Sequence, residues 1–228
     1  MKIDIWSDVA CPFCFIGKRH LEAALEKFPH RENVEVTWHS FELDPGAKQE
    51  YEENQYELLA RKYGMSVEQA RENTARVEAS GAAAGIQFDF DNVKPANTFN
   101  AHRLIQLAAQ HGRQNEVEEL LFTAYFTKGQ HIGRPETLQA IATAAGLNAA
   151  GLFDTDAYTK EVRADEAEAQ AIGIRGVPFF VFDRKYAISG AQPVNVFEQT
   201  LQKVWEESRP ADVAPGGVCE DGVCTPGE

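Results

Sequence analysis

Ile3-Asp4-Ile5-Trp6-Ser7-Asp8-Val9-Ala10-Cys11-Pro12-Phe13-Cys14 is the stretch on which the fold turns. Ile3 and Ile5, with Val9 beyond them, alternate with polar residues at the period of a half-buried strand. From Cys11 to Phe28 the apolar residues Phe15, Leu21, Ala24, Leu25 and Phe28 fall close to helical spacing, and Pro29 stops the run. Val34-Glu35-Val36-Thr37-Trp38 then alternates again. Strand, helix, strand predicts two parallel strands joined by a right-handed crossover, the unit from which α/β sheets are built.

The first two cysteines therefore sit where a strand ends and a helix begins. Unpaired N–H groups and the positive end of the helix dipole converge there and favour a thiolate, which makes Cys11 the candidate nucleophile. Cys14, one turn further along, is placed to attack a mixed disulfide on Cys11 and release the partner, so it is the candidate resolving thiol. Pro12 suits a first-turn position whose N–H has no intrahelical partner, and Phe13 offers an apolar contact without charge. A metal half-site and two unrelated buried cysteines are the competing explanations. Strand before and helix after match a thioredoxin-like context for Cys-x-x-Cys. Asp8, three residues upstream, either opposes ionisation of Cys11 or caps the helix.

The chain has 228 residues and four cysteines, with 35 acidic against 22 basic side chains and a formal net charge of −13. So few cysteines in a chain long enough to bury its own core exclude a disulfide-dense scaffold and leave the thiols free for chemistry. The negative charge argues against nucleic acid and anionic lipid as partners. Acidic residues interrupt the amino terminus where a secretory signal needs about seven apolar residues in a row, and no run approaches the roughly 18 of a membrane span. A cytoplasmic protein is expected, where reduced thiol pools disfavour structural disulfides.

From residue 50 to residue 172 only helical patterns occur. Ser66 and Gln69 form a possible capping box ahead of a small-residue face through Val67, Ala70, Thr74, Val77, Gly81 and Ala84. Further helices are expected from about Thr98 to Gly112, Asn115 to Lys128 with Gly129 as terminator, Pro135 to Gly146, and Asp156 to Ala171. Phe179-Phe180-Val181-Phe182 and Tyr186-Ala187-Ile188 read as a hairpin around Asp183-Arg184-Lys185. A last helix starts near Pro193 and buries Val194, Phe197, Leu201 and Val204. Pro and Gly recur through 209–228, so no packed element is expected in that tail.

Cys11-Pro12-Phe13-Cys14, the helical stretch and Gly176-Val177-Pro178-Phe179-Phe180-Val181-Phe182 together resemble the DsbA family of thioredoxin-like oxidoreductases. Asn97-Thr98-Phe99-Asn100-Ala101-His102-Arg103-Leu104 and Ser189-Gly190-Ala191-Gln192 are similar to its cytoplasmic FrnE-like branch, and the likeness spans about 1–208. The resemblance implies an α/β, thioredoxin-like fold of 1–49 and 173–208 interrupted by a helical insertion domain of 50–172, and the Pro- and Gly-rich 209–228 is expected to be a flexible tail. It implies a Cys11 thiolate, a resolving Cys14 and a cis-Pro178 facing them, with the Val177 main chain free to pair with an extended substrate segment. Phe13 stands where DsbA itself carries histidine, so the likeness does not extend to the residue linked with a strongly oxidising potential. Protein thiols and disulfides are the implied substrates, with no cofactor beyond the cysteines and glutathione as a candidate reductant.

Glutathione-dependent isomerases of 2-hydroxychromene-2-carboxylate and kappa-class transferases share the superfamily but carry serine at the position of Cys11, so the dithiol argues against them. A thiolate metal-binding or redox-sensing module is the other alternative. Cys219-Glu220-Asp221-Gly222-Val223-Cys224 has a spacing that permits a disulfide or two metal ligands. FrnE-like proteins can carry such a pair, which favours a second redox couple that exchanges electrons with Cys11/Cys14 or covers it; an inert tail and a soft-metal site are the other possibilities. The six histidines show no metal-site spacing, and His102 reads as a packing or hydrogen-bonding residue. Trp6, Phe13 and Phe15 are either an apolar rim or core.

Overall fold

The computed structural model describes residues 1–208 and the backbone of 219–220 and 223–224. Strand β1 (Lys2–Ser7), helix α1 (Pro12–Lys27) and strand β2 (Glu35–Ser40) open the chain, and β1 and β2 pair in parallel, with Ile3 opposite Val36 and Ile5 opposite Trp38. Six helices follow: α2 (Gln55–Tyr63), α3 (Val67–Ala83), α4 (Phe99–Ala109), α5 (Gln114–Phe122), α6 (Pro135–Ala144) and α7 (Thr159–Ala171). Strands β3 (Phe179–Phe182) and β4 (Tyr186–Ser189) then form an antiparallel hairpin, and α8 (Val194–Ser208) follows it. The sheet order is β2-β1-β3-β4, with β3 antiparallel to β1.

The strand period of two distributes the side chains between the faces. Ile3, Ile5, Phe180 and Phe182 point into the core shared with α1 and α8, where Phe180 meets Phe197 edge-on at 4.9 Å. Trp6 and Val181 point the other way and pack with Ala169 of α7 and Ile174. Each such buried side chain stabilises the fold by roughly 1.5–3 kcal/mol. One continuous apolar cluster runs from the sheet through α1 into α4, α5 and α6, and Phe15 stacks on Phe122 at 5.0 Å along the way. Lys18 and Arg19 of α1 both pair with Glu119 of α5, adding a polar tie across that seam.

Several local expectations hold. Ser66 and Gln69 form both halves of a capping box, and Gly129 takes a positive φ of 56°. Others shift for identifiable reasons. Val9 lies beyond the strand in a buried turn, because β1 ends at Ser7 to let the chain enter α1. The helix expected to run to Lys128 is α-helical only to Phe122, then widens into a π-helical turn, Thr123–Thr127, in which Lys128 N–H reaches back five residues to the Thr123 carbonyl. The segment expected to be helical from Asp156 enters α7 only at Thr159. Helix α2 was not singled out by apolar periodicity, yet Asn54 and Glu57 give it a complete capping box. The tail, expected to lack packed elements, carries the strands β5 (Cys219–Glu220) and β6 (Val223–Cys224), with Cys219 opposite Cys224. Asp-Gly between them is a strong two-residue hairpin signal.

Candidate active site

Cys11 is the N-cap of α1, with extended backbone angles of −97° and 110°, and Pro12 occupies the first helical position. The Cys11 carbonyl accepts the Cys14 N–H at 3.0 Å, and the Cys11 N–H donates to the Asp8 carbonyl at 2.9 Å. Both cysteines are free thiols. The Val177–Pro178 peptide is cis, and the Cys11 Sγ lies 3.5 Å from the Val177 carbonyl oxygen. Cys11, Cys14, Val177 and Pro178 thus converge, although 166 positions separate Cys11 from Val177.

A close approach of α1 to β3 makes this possible. A Cβ at Gly17 would lie 3.0 Å from Phe180 Cζ and 3.1 Å from Pro178 Cγ, so the bare glycine lets the helix settle against the cis-proline loop.

Exposure separates the expected site residues. Cys11 is 4% exposed and Cys14 1%, whereas Phe13 is 47% exposed. Phe13 therefore stands on the rim with exposed Leu43 and Tyr63, while Trp6 and Phe15 are core residues. Between that rim and α2 and α3 lies a cavity of about 390 Å³ lined by Cys11, Pro12, Leu59, Met65, Val77 and Phe90 among others. A second cavity of about 190 Å³ shares Leu43, Leu59 and Tyr63 with it and ends on Asp8 and Thr98. On the opposite side, Arg175, Gly176, Val177 and Pro178 line an open trough of about 390 Å³ beside the β4 edge.

Burial pushes the Cys14 thiol well up, and the neighbouring Cys11 sulfur adds to that; the Asp8 main-chain N–H and the Ser7 hydroxyl pull the other way without offsetting it. Cys14 accordingly holds its proton until a partner for its charge arises.

Asp8 does not cap α1. Its Oδ2 accepts the Leu43 N–H at 2.8 Å and its Oδ1 the Ala10 N–H at 3.3 Å, and α1 has no side-chain cap. His102 Nε2 lies 3.4 Å from Asp8 Oδ1, an ion-pair contact that completes no hydrogen bond. Glu118 and Glu42 are also buried near His102. Burial raises the Glu118 carboxyl to about 8, with His102 and Lys18 opposing and Asp8 adding to the rise. Burial likewise raises the Glu42 carboxyl against the pull of Arg163 and His102. Glu118 and Glu42 belong to no recognisable sequence motif. Glu118 shares a helical face with Gln114, Leu121 and Tyr125, which was the available signal that it points inward.

Arg103, quoted with His102 in the sequence, takes a different part. Its guanidinium donates to the carbonyls of Leu152, Thr155 and Ala157 at 2.6–2.7 Å, clamping the loop that leads into α7.

Away from the dithiol, His39 Nδ1 contacts Asp165 Oδ1 at 2.8 Å and Nε2 contacts Asp4 Oδ1 at 2.9 Å, with Trp6 stacked on the ring at 4.5 Å. Burial lowers the His39 pKa, but Asp165 and Asp4 outweigh it and the net direction is upward. His39, Asp165 and Glu168 are spaced as a metal could require. Both ring nitrogens are already engaged, however, Asp165 also accepts the Ser40 N–H at 2.8 Å, and Glu168 pairs with Arg184 at 2.6 Å. The side chains of Cys219 and Cys224 lie outside the described residues. Among the described residues, no helix is long and apolar enough to cross a membrane.

Comparison with known proteins identifies the fold. The model of the DSBA-like thioredoxin domain matches residues 2–202. The uncharacterised protein YwbO of Bacillus subtilis is 28% identical over 206 residues, covering 88% of this chain and 96% of that protein. The crystal structure of a probable DsbA oxidoreductase from Streptomyces coelicolor superposes with a TM-score of 0.86 at 42% identity over the whole of both chains. The cytosolic disulfide reductase DsbM from Pseudomonas aeruginosa shares the fold at a TM-score of 0.61 and 17% identity, covering 91% of this chain and 100% of its own. With a mixed sheet, eight α-helices among the described residues and an amino-terminal Cys-x-x-Cys helix, the chain belongs to the DsbA-like thioredoxin family.

Proposed function

We propose that the protein is a dithiol–disulfide oxidoreductase acting on protein disulfides. The observation that carries this is the convergence of Cys11 at the helix N-cap, buried Cys14 and the Val177 carbonyl of the cis-proline loop. In the reducing direction the Cys11 thiolate attacks one sulfur of a substrate disulfide; that S–S bond breaks, the far sulfur leaves as a thiolate, and a mixed disulfide forms. Cys14 then gives up its proton and attacks Cys11 Sγ, the second substrate thiolate leaves, and two electrons have passed to the substrate. The oxidising direction is the reverse. Val177 and Pro178 align an extended substrate segment by main-chain pairing, and Phe13 with its apolar neighbours contacts the substrate's side chains.

We assign the activity to the cytoplasm, with glutathione as reductant and Cys219/Cys224 as an accessory redox pair. The acidic chain suits protein substrates better than nucleic acid or membrane surfaces. A glutathione-dependent reaction on a small molecule is the weaker alternative, because it has no use for Cys14; activity retained in Cys14→Ser would favour it.

A redox titration with mass mapping of wild type, Cys11→Ser and Cys219→Ser tests the proposal. A reversible Cys11–Cys14 disulfide that exchanges with protein disulfides is expected, and its absence from the wild type would end this assignment. Truncation after Ser208 tests the tail separately: unchanged potential, turnover and reduction kinetics would remove Cys219/Cys224 from the mechanism.

A further inference from the structure

His102 is a buried imidazole whose two ring nitrogens find no hydrogen-bond partner among the described residues, and Glu42 Oε1 and Glu118 Oε2 beside it are equally unpaired. A polar atom buried without a partner costs on the order of 1–3 kcal/mol, so four together call for a compensating use. The setting supplies one. The imidazole is 1% exposed on α4 and faces the Asp8 carboxylate at 3.4 Å. The Asp8 backbone in turn holds both cysteines, its carbonyl accepting the Cys11 N–H at 2.9 Å and its N–H facing the Cys14 sulfur.

We infer that His102 is a positioning residue for the dithiol: reaching in from α4, it faces the carboxylate of Asp8, whose backbone carries the two cysteines, and supplies a positive charge against it. The inference rests on the dithiol function proposed above and adds a control element that no Cys-x-x-Cys motif contains.

The electrostatic sense follows from the neighbours. Around His102 stand Asp8 from the β1–α1 turn, Glu42 after β2, and Glu118 from α5; Lys18 of α1 faces Glu118, Arg163 of α7 pairs with Glu42 at 2.6 Å, and Tyr125 follows α5. Burial disfavours the imidazolium, but Asp8, Glu118 and Glu42 together outweigh it, so the His102 pKa lies above its ordinary value. Lys18 and Arg163 are each already committed to carboxylates, Lys18 to Glu22 and Glu119 and Arg163 to Glu42 and Glu166. The imidazolium is therefore the cation facing Asp8 across 3.4 Å, and Asp8 is the carboxylate of the turn whose carbonyl accepts the Cys11 N–H. Without that cation the thiolate is disfavoured, the reduced protein is less stabilised, and the enzyme becomes a weaker oxidant.

The test compares wild type and His102→Gln by thiolate absorbance against pH and by equilibration with glutathione. The expected result is an upward shift of about one pH unit in the thiolate midpoint, with the equilibrium moving up to tenfold toward the disulfide, about 30 mV for a two-electron couple. A purely structural role would lower the melting temperature and leave midpoint and potential in place, and that result overturns the inference. Should His102→Gln fail to fold, the wild type decides: the His102 imidazole, followed by NMR, must titrate at higher pH in the reduced protein than in the oxidised one. Equal midpoints overturn it. Loss of the Cys11–Cys14 disulfide in wild type would strike the proposed function instead, so the two failures are distinguishable.

Discussion

His102 is buried and His39 largely so, both against carboxylates where helices meet the first strands, yet their surroundings differ in the one respect that matters for a polar group out of water. Both nitrogens of His39 are taken up by Asp165 and Asp4. Neither nitrogen of His102 completes a hydrogen bond among the described residues. A fully satisfied buried node rigidifies what it joins, and His39 joins β1, β2 and α7. An unsatisfied one is a standing cost, and it lies next to the residue whose backbone carries the dithiol. The contrast separates a joint from a working part on hydrogen-bond bookkeeping alone.

Substitutions can break that contrast, beginning with the largest expected effect. Cys11→Ser should reduce disulfide exchange on the order of a thousandfold or more while leaving the melting temperature nearly unchanged. Turnover with a disulfide-bonded protein substrate, measured beside calorimetry, checks both halves.

His39→Gln should do the reverse. It removes the counter-charge of Asp165 and one of three cations beside Asp4, which keeps Lys2 and Arg184, and should cost on the order of 1–3 kcal/mol in urea unfolding near pH 6, with turnover per folded molecule preserved. The pH dependence has a definite sign. His39 is raised above its ordinary 6.5, so its contribution is complete below that value and fades as pH climbs through the folded value. Asp4, which burial would raise, is brought below its ordinary 3.8 by His39 and Lys2, so its contribution is complete above 3.8 and fades as pH falls through the lower folded value. The penalty of His39→Gln should therefore be largest between those two ordinary values and shrink towards alkaline pH.

Glu118→Gln probes the unsatisfied node from its far side. Between the ordinary 4.5 and about 8 the folded protein keeps a proton on Glu118 that the unfolded chain releases, so stability falls as pH rises across that interval. The uncharged amide escapes this and should gain on the order of 1–3 kcal/mol at pH 9, with almost none at pH 4. Equal effects at both pH values would contradict the burial assigned to this carboxyl.

Gly17→Ala should have the smallest effect on stability, because better helix propensity, about 0.5–1 kcal/mol, opposes the contact with Phe180 and Pro178. A net change within about 1 kcal/mol is expected, accompanied by a severalfold rise in KM for a protein disulfide as the loop gives way. An unchanged KM would mean that the spacing between α1 and Pro178 is not critical.

What could be read directly from the chain was whatever local chemistry specifies. Cys11-Pro12-Phe13-Cys14 between a strand pattern and a helix pattern, the Ser66–Gln69 box and Pro178 at a strand entrance are short-range signals, and each stands where expected. The Asn54–Glu57 box is just as local and was available, but apolar periodicity gave it no emphasis. The environment of the dithiol was another matter. Asp8, Glu42, His102 and Glu118 come from four places in the chain, and only the tertiary packing of α4 and α5 near the β1–α1 turn and the end of β2 brings them together. Periodicity assigns a face to a residue; it does not say that a glutamate on that face will meet a histidine from another helix. The π-helical turn after Phe122 is similarly invisible, because widening a helix by one residue leaves no mark on its apolar pattern.

The stacking of Trp6 on His39 also has an optical consequence. A protonated imidazole held face to face with an indole at 4.5 Å and an angle of 16° is an efficient quencher of its emission. Of the three tryptophans, Trp6 should therefore be dark while His39 carries its proton and brighten as that proton leaves, giving the joint between α7 and the sheet an intrinsic fluorescent readout that needs no label.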